Sequence, residues 1–430
     1  MPEPQPTFLS RWGGKFHQDV CWNMGSFALS ALAGVTLNAL IGATYGASAL
    51  GVFVQVFSLY TFFSQFSALG IHFSVLQATA ARANYRGACA TVLAGAALPT
   101  LITAAAAAAV FWLGRGAIGS IVSSQAVAEG IAWAAPGLFL FGLNKVLQGM
   151  INGLSWMKSF ASLQVIRSVL MIASFFGMWA ADWDAQRLPL ALTIAELGVL
   201  PVAAIMLARG RYFRGATGDI WAWSRQHLSF GLRSFGAAAL TALNNWIDVL
   251  MLGHFTGDDV VGLYGLPATL TAGFYQVLVV LRNNYNPRLV AAYESGDLPG
   301  LESMIHRGKR VTYLVIGAAA LLLLNAYPLA AAALDHKGTF MAGWPILAIL
   351  LAGIVAVAGY VPFSHVLMLA RRPGIQTWTI VLTLTLKIAG NWVLIPVLSA
   401  TGAALVTAAC YVFNAALMIY LTRRLIHVRL

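Results

Sequence analysis

Long apolar runs separated by short polar and glycine-rich stretches recur along nearly the whole chain. Runs of about 20 residues, the length a helix needs to cross bilayer hydrocarbon, come twelve times. They lie near 20–42, 50–72, 89–113, 128–149, 160–180, 189–208, 231–253, 261–281, 311–333, 341–369, 376–397 and 402–422. The tenth is long enough to include extra helix on the cytoplasmic side. The pattern predicts an all-α, polytopic integral membrane protein of about 12 transmembrane helices.

The pattern also repeats. Shifted by 211 positions, Ala28–Phe53 falls under Ala239–Tyr264 without a gap. ALSAL lies under ALTAL, and Gly42, Gly46 and Gly51 lie under Gly253, Gly257 and Gly262. Each copy reads as an apolar helix, a glycine-punctuated hairpin and the start of a second apolar helix. An offset of nearly half the chain is a duplication rather than a short solenoid period, and in membrane proteins such halves usually face each other across a substrate path. The expected division is a six-helix lobe over 1–210, a cytoplasmic connection over 211–230 and a second six-helix lobe over 231–430. The paired glycines Gly42/Gly46 and Gly253/Gly257 are expected to close the outer hairpins, through a positive φ or close backbone approach.

Composition agrees. The chain is 59% hydrophobic and 9% charged, with mean hydropathy +0.77, against roughly 25% charged for a soluble globular chain. The net charge of +12 is explained by its location. Of the 26 Lys and Arg, 19 fall in one alternating set of loops and the termini, and only Arg115, Arg187 and Lys337 in the opposite loops. The positive-inside rule then makes both termini cytoplasmic, and removes any need for a nucleic-acid partner. Cys21, Cys89 and Cys410 lie in apolar runs, with no disulfide framework or metal spacing. The first residues lack a cleavable signal pattern, so the first run is read as the first span. Arg209–Phe230, with Tyr212, Phe213, Trp221 and Trp223 among four arginines, suits an interfacial helix. In the segment Arg282–Arg310, Asp297 is a plausible start for a short helix before the ninth span. No outward loop has room for a folded domain.

Two motifs suggest chemistry and fail on context. Gly114–Gly119 matches GxGxxG, but follows a span instead of a strand in a βαβ unit. Asp182-Trp183-Asp184 is a DxD placed on the outer side, away from nucleotide sugars. No Walker sequence is present, and no cofactor or metal site is expected.

Ionisable groups within spans are costly and mark pathways by default. Lys145, Arg167, Glu196, Asp248 and Lys387 qualify, with His365 and Arg233 nearer the ends. A second offset, of 220, relates the fourth and fifth runs to the tenth and eleventh. It places Lys145 on His365 and Arg167 on Lys387. The alternatives are snorkelling for Lys145, a satisfied core histidine for His365, and structural ion pairs for Arg167 and Lys387. Helix counting puts the bases low or at mid-depth and the carboxylates Glu196 and Asp248 towards the outer ends. Basic groups low and acidic ones high suit an anionic cargo entering from the cytoplasm. Asp248 and Glu196 are the candidates for ion coupling, against a merely structural aspartate held by Asn244 and Asn245. Asn23, Asn38, Asn391, Gln55 and Gln65 read as interhelical hydrogen-bonding groups.

Twelve spans in two halves, with GATYGASALGVF (Gly42–Phe53), HFTGDDVVGLY (His254–Tyr264) and RNNYNPRLVAAYESGD (Arg282–Asp297), resemble the polysaccharide transporter branch of the multidrug/oligosaccharidyl-lipid/polysaccharide (MOP) exporter superfamily. The nearest pattern is that of the Wzx-type O-antigen and exopolysaccharide repeat-unit flippases. The resemblance implies a V-shaped two-lobe carrier with a cationic cavity and no enzymatic activity. Its cargo would be an undecaprenyl-diphosphate-linked oligosaccharide, moved from the inner to the outer leaflet of the bacterial cytoplasmic membrane with H+ or Na+ coupling. A polysaccharide polymerase and a chain-length regulator are the implied partners. Arg167, Lys387, Lys145 and His365 would then grip the diphosphate and sugar. The rival within the superfamily, a multidrug antiporter, resembles proteins with an acidic N-lobe site, whereas the first span here has only Asp19 at its start. A membrane glycosyltransferase is a rival of another class, weakened by the short outer loops.

Overall fold

The computed structural model describes residues 8–294, 298–334, 339–364 and 373–426. Among these the chain is entirely helical apart from turns. The helices are α1 (Phe8–Ala68), α2 (Ile71–Ala80), α3 (Arg86–Leu113), α4 (Arg115–Ile121), α5 (Gln125–Gly153), α6 (Met157–Ala180), α7 (Leu190–Arg209), α8 (Ile220–Phe255), α9 (Asp258–Glu294), α10 (Leu298–Leu334), α11 (Trp344–Val357) and α12 (Pro373–Ile426).

Among the described residues ten helical stretches are long and apolar enough to cross a membrane, and two of them, Trp22–Ala68 and Thr377–Leu425, hold 47 and 49 residues. At about 1.5 Å per residue each would run some 70 Å, over twice the ~30 Å of bilayer hydrocarbon. Each is broken once, α1 at Gly46 (φ 87°) and α12 at Ser399 (φ 53°). Two breaks turn ten stretches into twelve crossings, as the apolar runs predict.

Several expected boundaries move. The second span does not stop at 72: the helix ends at Ala68, turns through Leu69 and Gly70 in left-handed conformations, and resumes as α2. Trp221 and Trp223 belong to the first turns of α8, so the expected interfacial helix is instead the start of the seventh span. Likewise no separate short helix precedes the ninth span, because α10 runs from Leu298 through the basic residues into the apolar stretch. Both extensions are held by packing, Trp223 and the buried His227 against the unit 1 core and Ile305 within a unit 2 cluster. Within the described residues the tenth run gives the end of a 3-10 stretch (Thr339–Gly343), α11 and a short 3-10 turn, Val361–Phe363. Asp297 and His365 lie outside the described residues.

The chain forms two compact units. Unit 1 holds residues up to Leu37, Phe63–Gly114 and Ile131–Gly236; unit 2 holds Asn38–Phe62, Arg115–Gly130 and the residues from Ala237 on. By contacts, then, two segments of the first sequence half belong with the second. The unit 1 core gathers Ile71, Val92, Met150, Leu163, Val199 and Leu207. Unit 2 has one cluster around Leu278, Ile316 and Ile354 and another around Leu289, Ile305, Phe363 and Met418.

Since lipid is as apolar as leucine, close packing and polar satisfaction must select the helix contacts. The prolines show how. Pro99 has no N–H for the carbonyl of Gly95 four residues back, and Ser224 Oγ donates to that carbonyl at 2.7 Å. Pro328 likewise frees the carbonyl of Leu324, which Trp344 Nε1 takes at 3.1 Å. Next to Pro136, Thr193 Oγ1 accepts from Gly137 N–H at 3.0 Å and donates to the carbonyl of Trp133 at 2.6 Å. Each freed backbone group becomes an attachment point for a neighbouring helix.

In unit 2 the 211-residue offset reappears as contact. A Cβ on Gly51 would run into the carbonyl oxygen of Asp258, and a Cβ on Gly262 into the carbonyl oxygen of Ala47. Ala47 and Asp258 are themselves 211 apart, so the two contacts are one contact made twice. Gly265 is also held close, with its Cβ position 2.9 Å from a methyl of Val54, its own counterpart in the repeat. The expectation for the hairpin glycines holds in part. Gly46 has the positive φ, Gly42 and Gly253 are packed against Phe340 and Gln55, but Gly257 has neither a positive φ nor a near neighbour.

Candidate functional site

In unit 1 the polar centre lies where α5, α6 and α7 meet. Arg167 on α6 places Nε 2.8 Å from Glu196 Oε1 on α7. That N–H does not aim at the carboxylate, so the contact is ionic, while Nη2 donates to Oε2 at 3.3 Å. Nη1 donates to Gln164 Oε1 at 2.9 Å. Glu196 is 3% exposed, and Asn144 on α5 donates both to its Oε2 at 2.7 Å and to its backbone carbonyl at 2.8 Å.

Lys145 adds a second cation. Its Nζ lies 5.1 Å from the centre of the Phe141 ring, and Arg167 lies 5.9 Å from the same ring. Among the described residues no carboxylate comes within salt-bridge distance of Lys145. Gln148, one turn on and on the face shared by Asn144 and Lys145, is buried with both side-chain polar atoms unpaired. Arg167 thus has the carboxylate of Glu196, while Lys145 beside it has none in reach, leaving an excess positive charge among spanning helices.

Unit 2 is built differently. Lys387 on α12 puts Nζ 3.3 Å from Asp248 Oδ2 on α8, and donates to the backbone carbonyl of Asn244 at 2.9 Å. Asp248 also accepts from Tyr264 Oη at 2.6 Å and Thr407 Oγ1 at 3.2 Å. One cation meets one anion, the two hydroxyls bond the same Oδ2, and Oδ1 accepts from Val249 N–H at 3.1 Å. Asn391, a turn beyond Lys387, is buried with both amide atoms unpaired.

The structure therefore brings Arg167 to Glu196 and Lys387 to Asp248, with Lys145 beside the first pair. The expected separation of low bases from high carboxylates is corrected, since both pairs are in contact. Counting turns along each helix ignored the reach of the long basic side chains and the offset between helices of unequal length. His365 lies outside the described residues. Arg233 is exposed and bonded to Ser229 on its own helix. Asp182 and Asp184 are exposed in the turn after α6, and Asp184 makes only a 3.8 Å contact with Arg187.

Asn144, Gln148, Tyr264 and Thr407 were not singled out from sequence. For Tyr264 a signal existed. Across the 211 offset Asp248 replaces Leu37 and Tyr264 replaces Phe53, two apolar-to-polar changes 16 residues apart in both copies. Their side chains bond to each other.

Residues 16–293 match the family model described as polysaccharide biosynthesis protein. No curated protein sequence matches. Among solved structures, an inward-facing multidrug resistance MATE family transporter of the MOP superfamily superposes with TM-score 0.83 at 14% identity, covering 93% of this chain and 94% of the other. The lipid II flippase MurJ, in an inward closed conformation, gives 0.74 at 10% identity over 94% and 87%. A MOP superfamily transporter from Pyrococcus furiosus, described as having a binding pocket of reverse polarity that suggests a different function, gives 0.62 at 15% identity over 95% of both chains. At these identities the likeness shows the fold alone, an all-helical membrane-protein architecture shared with these chains.

Proposed function

This chain belongs to the polysaccharide biosynthesis protein family, and from that premise we propose that it is a flippase for undecaprenyl-diphosphate-linked oligosaccharide repeat units in O-antigen or exopolysaccharide assembly. It carries them by alternating access from the inner to the outer leaflet of the bacterial cytoplasmic membrane, with both termini cytoplasmic. The observation that supports this reading is the cationic excess of unit 1, where Arg167 pairs with Glu196 and Lys145 lies beside that pair with no carboxylate in salt-bridge distance among the described residues. A diphosphate leaving water needs charge-assisted donors, and a guanidinium offers a planar fork suited to it. A pair neutral in itself, such as Lys387 with Asp248, has less to offer an anion; it serves as framework.

The same geometry suggests coupling. A diphosphate that takes Arg167 displaces Glu196, whose carboxylate then needs a new partner, either a proton or a cation. Glu196 is thus the stronger coupling candidate of the two carboxylates.

The test is translocation of a fluorescent polyprenyl-diphosphate oligosaccharide in proteoliposomes, read by quenching from outside. Wild type should move the lipid, and Lys145→Ala should lose most of the rate at normal protein level. A wild type that leaves the lipid in place yet extrudes a cationic dye under a pH gradient would establish the multidrug antiporter instead.

A further inference from the structure

Unit 1 contains an apolar cavity of about 430 Å³ between α3, α5 and α7, lined at one end by the connection after α7. Apart from Thr100 and Tyr212, every lining side chain is Ala, Val, Leu or Phe. Its room comes from small residues. Ala90, Ala94 and Ala97 line one face of α3, and Ala204 faces in from α7, where larger side chains would fill the space. The volume lies within the range of ligand-binding pockets, about 300–1,000 Å³, but a lining so poor in polar atoms suits only hydrocarbon.

That end is strongly basic. Arg209, Arg211 and Arg214 fall within six residues of chain, all exposed, interleaved with the lining residues Tyr212 and Phe213. No carboxylate occurs between Glu196 and Asp219. The mounting is firm. α7 ends with Tyr212 N–H bonded to the carbonyl of Leu207 at 3.1 Å and Arg211 N–H to that of Ala208 at 2.9 Å. Between them Arg211 takes φ 62°, a position where glycine is the unstrained choice. The Tyr212 ring is buried and meets Trp156 edge-on at 5.8 Å. An arginine is thus held in a left-handed turn at the mouth of a hydrocarbon-lined groove.

We propose that this groove holds the isoprenoid tail of the cargo, with the lipid's phosphate groups first met by Arg211 and Arg214. The inference rests on the flippase reading and names a second binding region for the same substrate, apart from the polar centre at Arg167. The charge selects an anionic lipid, the lining selects its chain, and the arginine-bearing end is the one where cargo is loaded in the proposed orientation.

The experiment is a native mass spectrometry titration of the purified full-length protein with polyprenyl monophosphate, which carries no sugar, and with phosphatidylglycerol. Wild type should retain one polyprenyl phosphate per chain. Ala94→Trp and Ala204→Phe should weaken retention at least tenfold with an unchanged melting midpoint. Arg211→Gln with Arg214→Gln should weaken retention of the phosphate but not of uncharged polyprenol. If a large replacement prevents folding, Ala94→Leu and Ala204→Val fill the same space more gently and should still weaken binding. Undiminished retention in the filled variants overturns the proposal, and so does equal competition by phosphatidylglycerol. A translocation assay on the same variants separates the two ideas. Full translocation with a filled groove sinks the groove and leaves the flippase; groove-dependent retention without any wild-type translocation does the reverse.

Discussion

Adding one methyl group at Gly51 should have the opposite effect to adding it at a helical glycine with open space around it. Alanine is favoured over glycine by about 0.8–1 kcal/mol in a helix interior, so Gly→Ala stabilises wherever space is open. Gly177 in α6 and Gly317 in α10 have no atom within 4 Å of the added Cβ, and alanine there should raise stability by about that amount. At Gly51 the new carbon would overlap the carbonyl oxygen of Asp258, and at Gly262 that of Ala47. Both obstacles are backbone, so no side chain can swing away; the helices themselves must part. Overpacking typically costs about 1–3 kcal/mol, enough to outweigh the propensity gain and reverse the sign. Because the two sites face each other across one crossing, the double variant separates the same helices once, and its loss should be well below the sum of the singles. The measurement is the thermal midpoint of the detergent-purified protein by fluorescence-detected size exclusion, with Gly177→Ala and Gly317→Ala as controls. Midpoints for Gly51→Ala and Gly262→Ala at or above wild type would refute the crossing. Gly257→Ala, at a hairpin glycine with neither positive φ nor a neighbour, should be close to neutral.

Other outcomes follow from the ion pairs and the prolines. Arg167→Ala strands Glu196 and should lower stability by about 3–5 kcal/mol; Arg167→Ala with Glu196→Gln should recover much of it in the melting midpoint while translocation stays lost, and recovery of both would make the pair structural only. Asp248→Asn should lower the midpoint because Lys387 loses its counter-ion, yet residual translocation should keep its gradient dependence; loss of that dependence alone would return Asp248 to the coupling role. Ser224→Ala leaves the Gly95 carbonyl unpaired and should cost about 1–3 kcal/mol. Pro99→Ala, which restores an N–H to that carbonyl, should remove most of the penalty, and a thermal double-mutant cycle showing no interaction between the two sites would contradict the assignment.

Much of this was legible in the sequence because lipid imposes a simple length rule. Twelve apolar runs give twelve crossings, and glycines 211 apart give a contact made twice. Boundaries were read less well where a helix leaves the apolar layer, since α8, α9 and α10 continue through basic and polar residues that look like loops. The ion pairs were half visible. Arg167 and Lys387 stood out as matched cations, but their partners did not, because an acid's depth along its own helix says little about which neighbour it touches. Asn144 and Thr407 carry no charge or spacing signal, and only their helix neighbours make them acceptor-satisfying groups. Tyr264 could have been found by asking where the two copies differ in the same two places.

The reciprocal glycine contact has a further meaning. Residue i meeting j while i's copy meets j's copy is the rule of an isologous interface, the kind two identical subunits form about a dyad. In two separate chains such a seam forces every change to occur on both sides at once. Joined in one polypeptide, the sides are free to diverge, and Ala47 facing Asp258 is where they have. The acidic copy binds Gln55 at 2.7 Å and Ser124 at 2.7 Å, while its counterpart is a bare methyl group. Polar asymmetry of this sort, impossible in a strict homodimer, makes the two copies distinguishable across an otherwise symmetric seam.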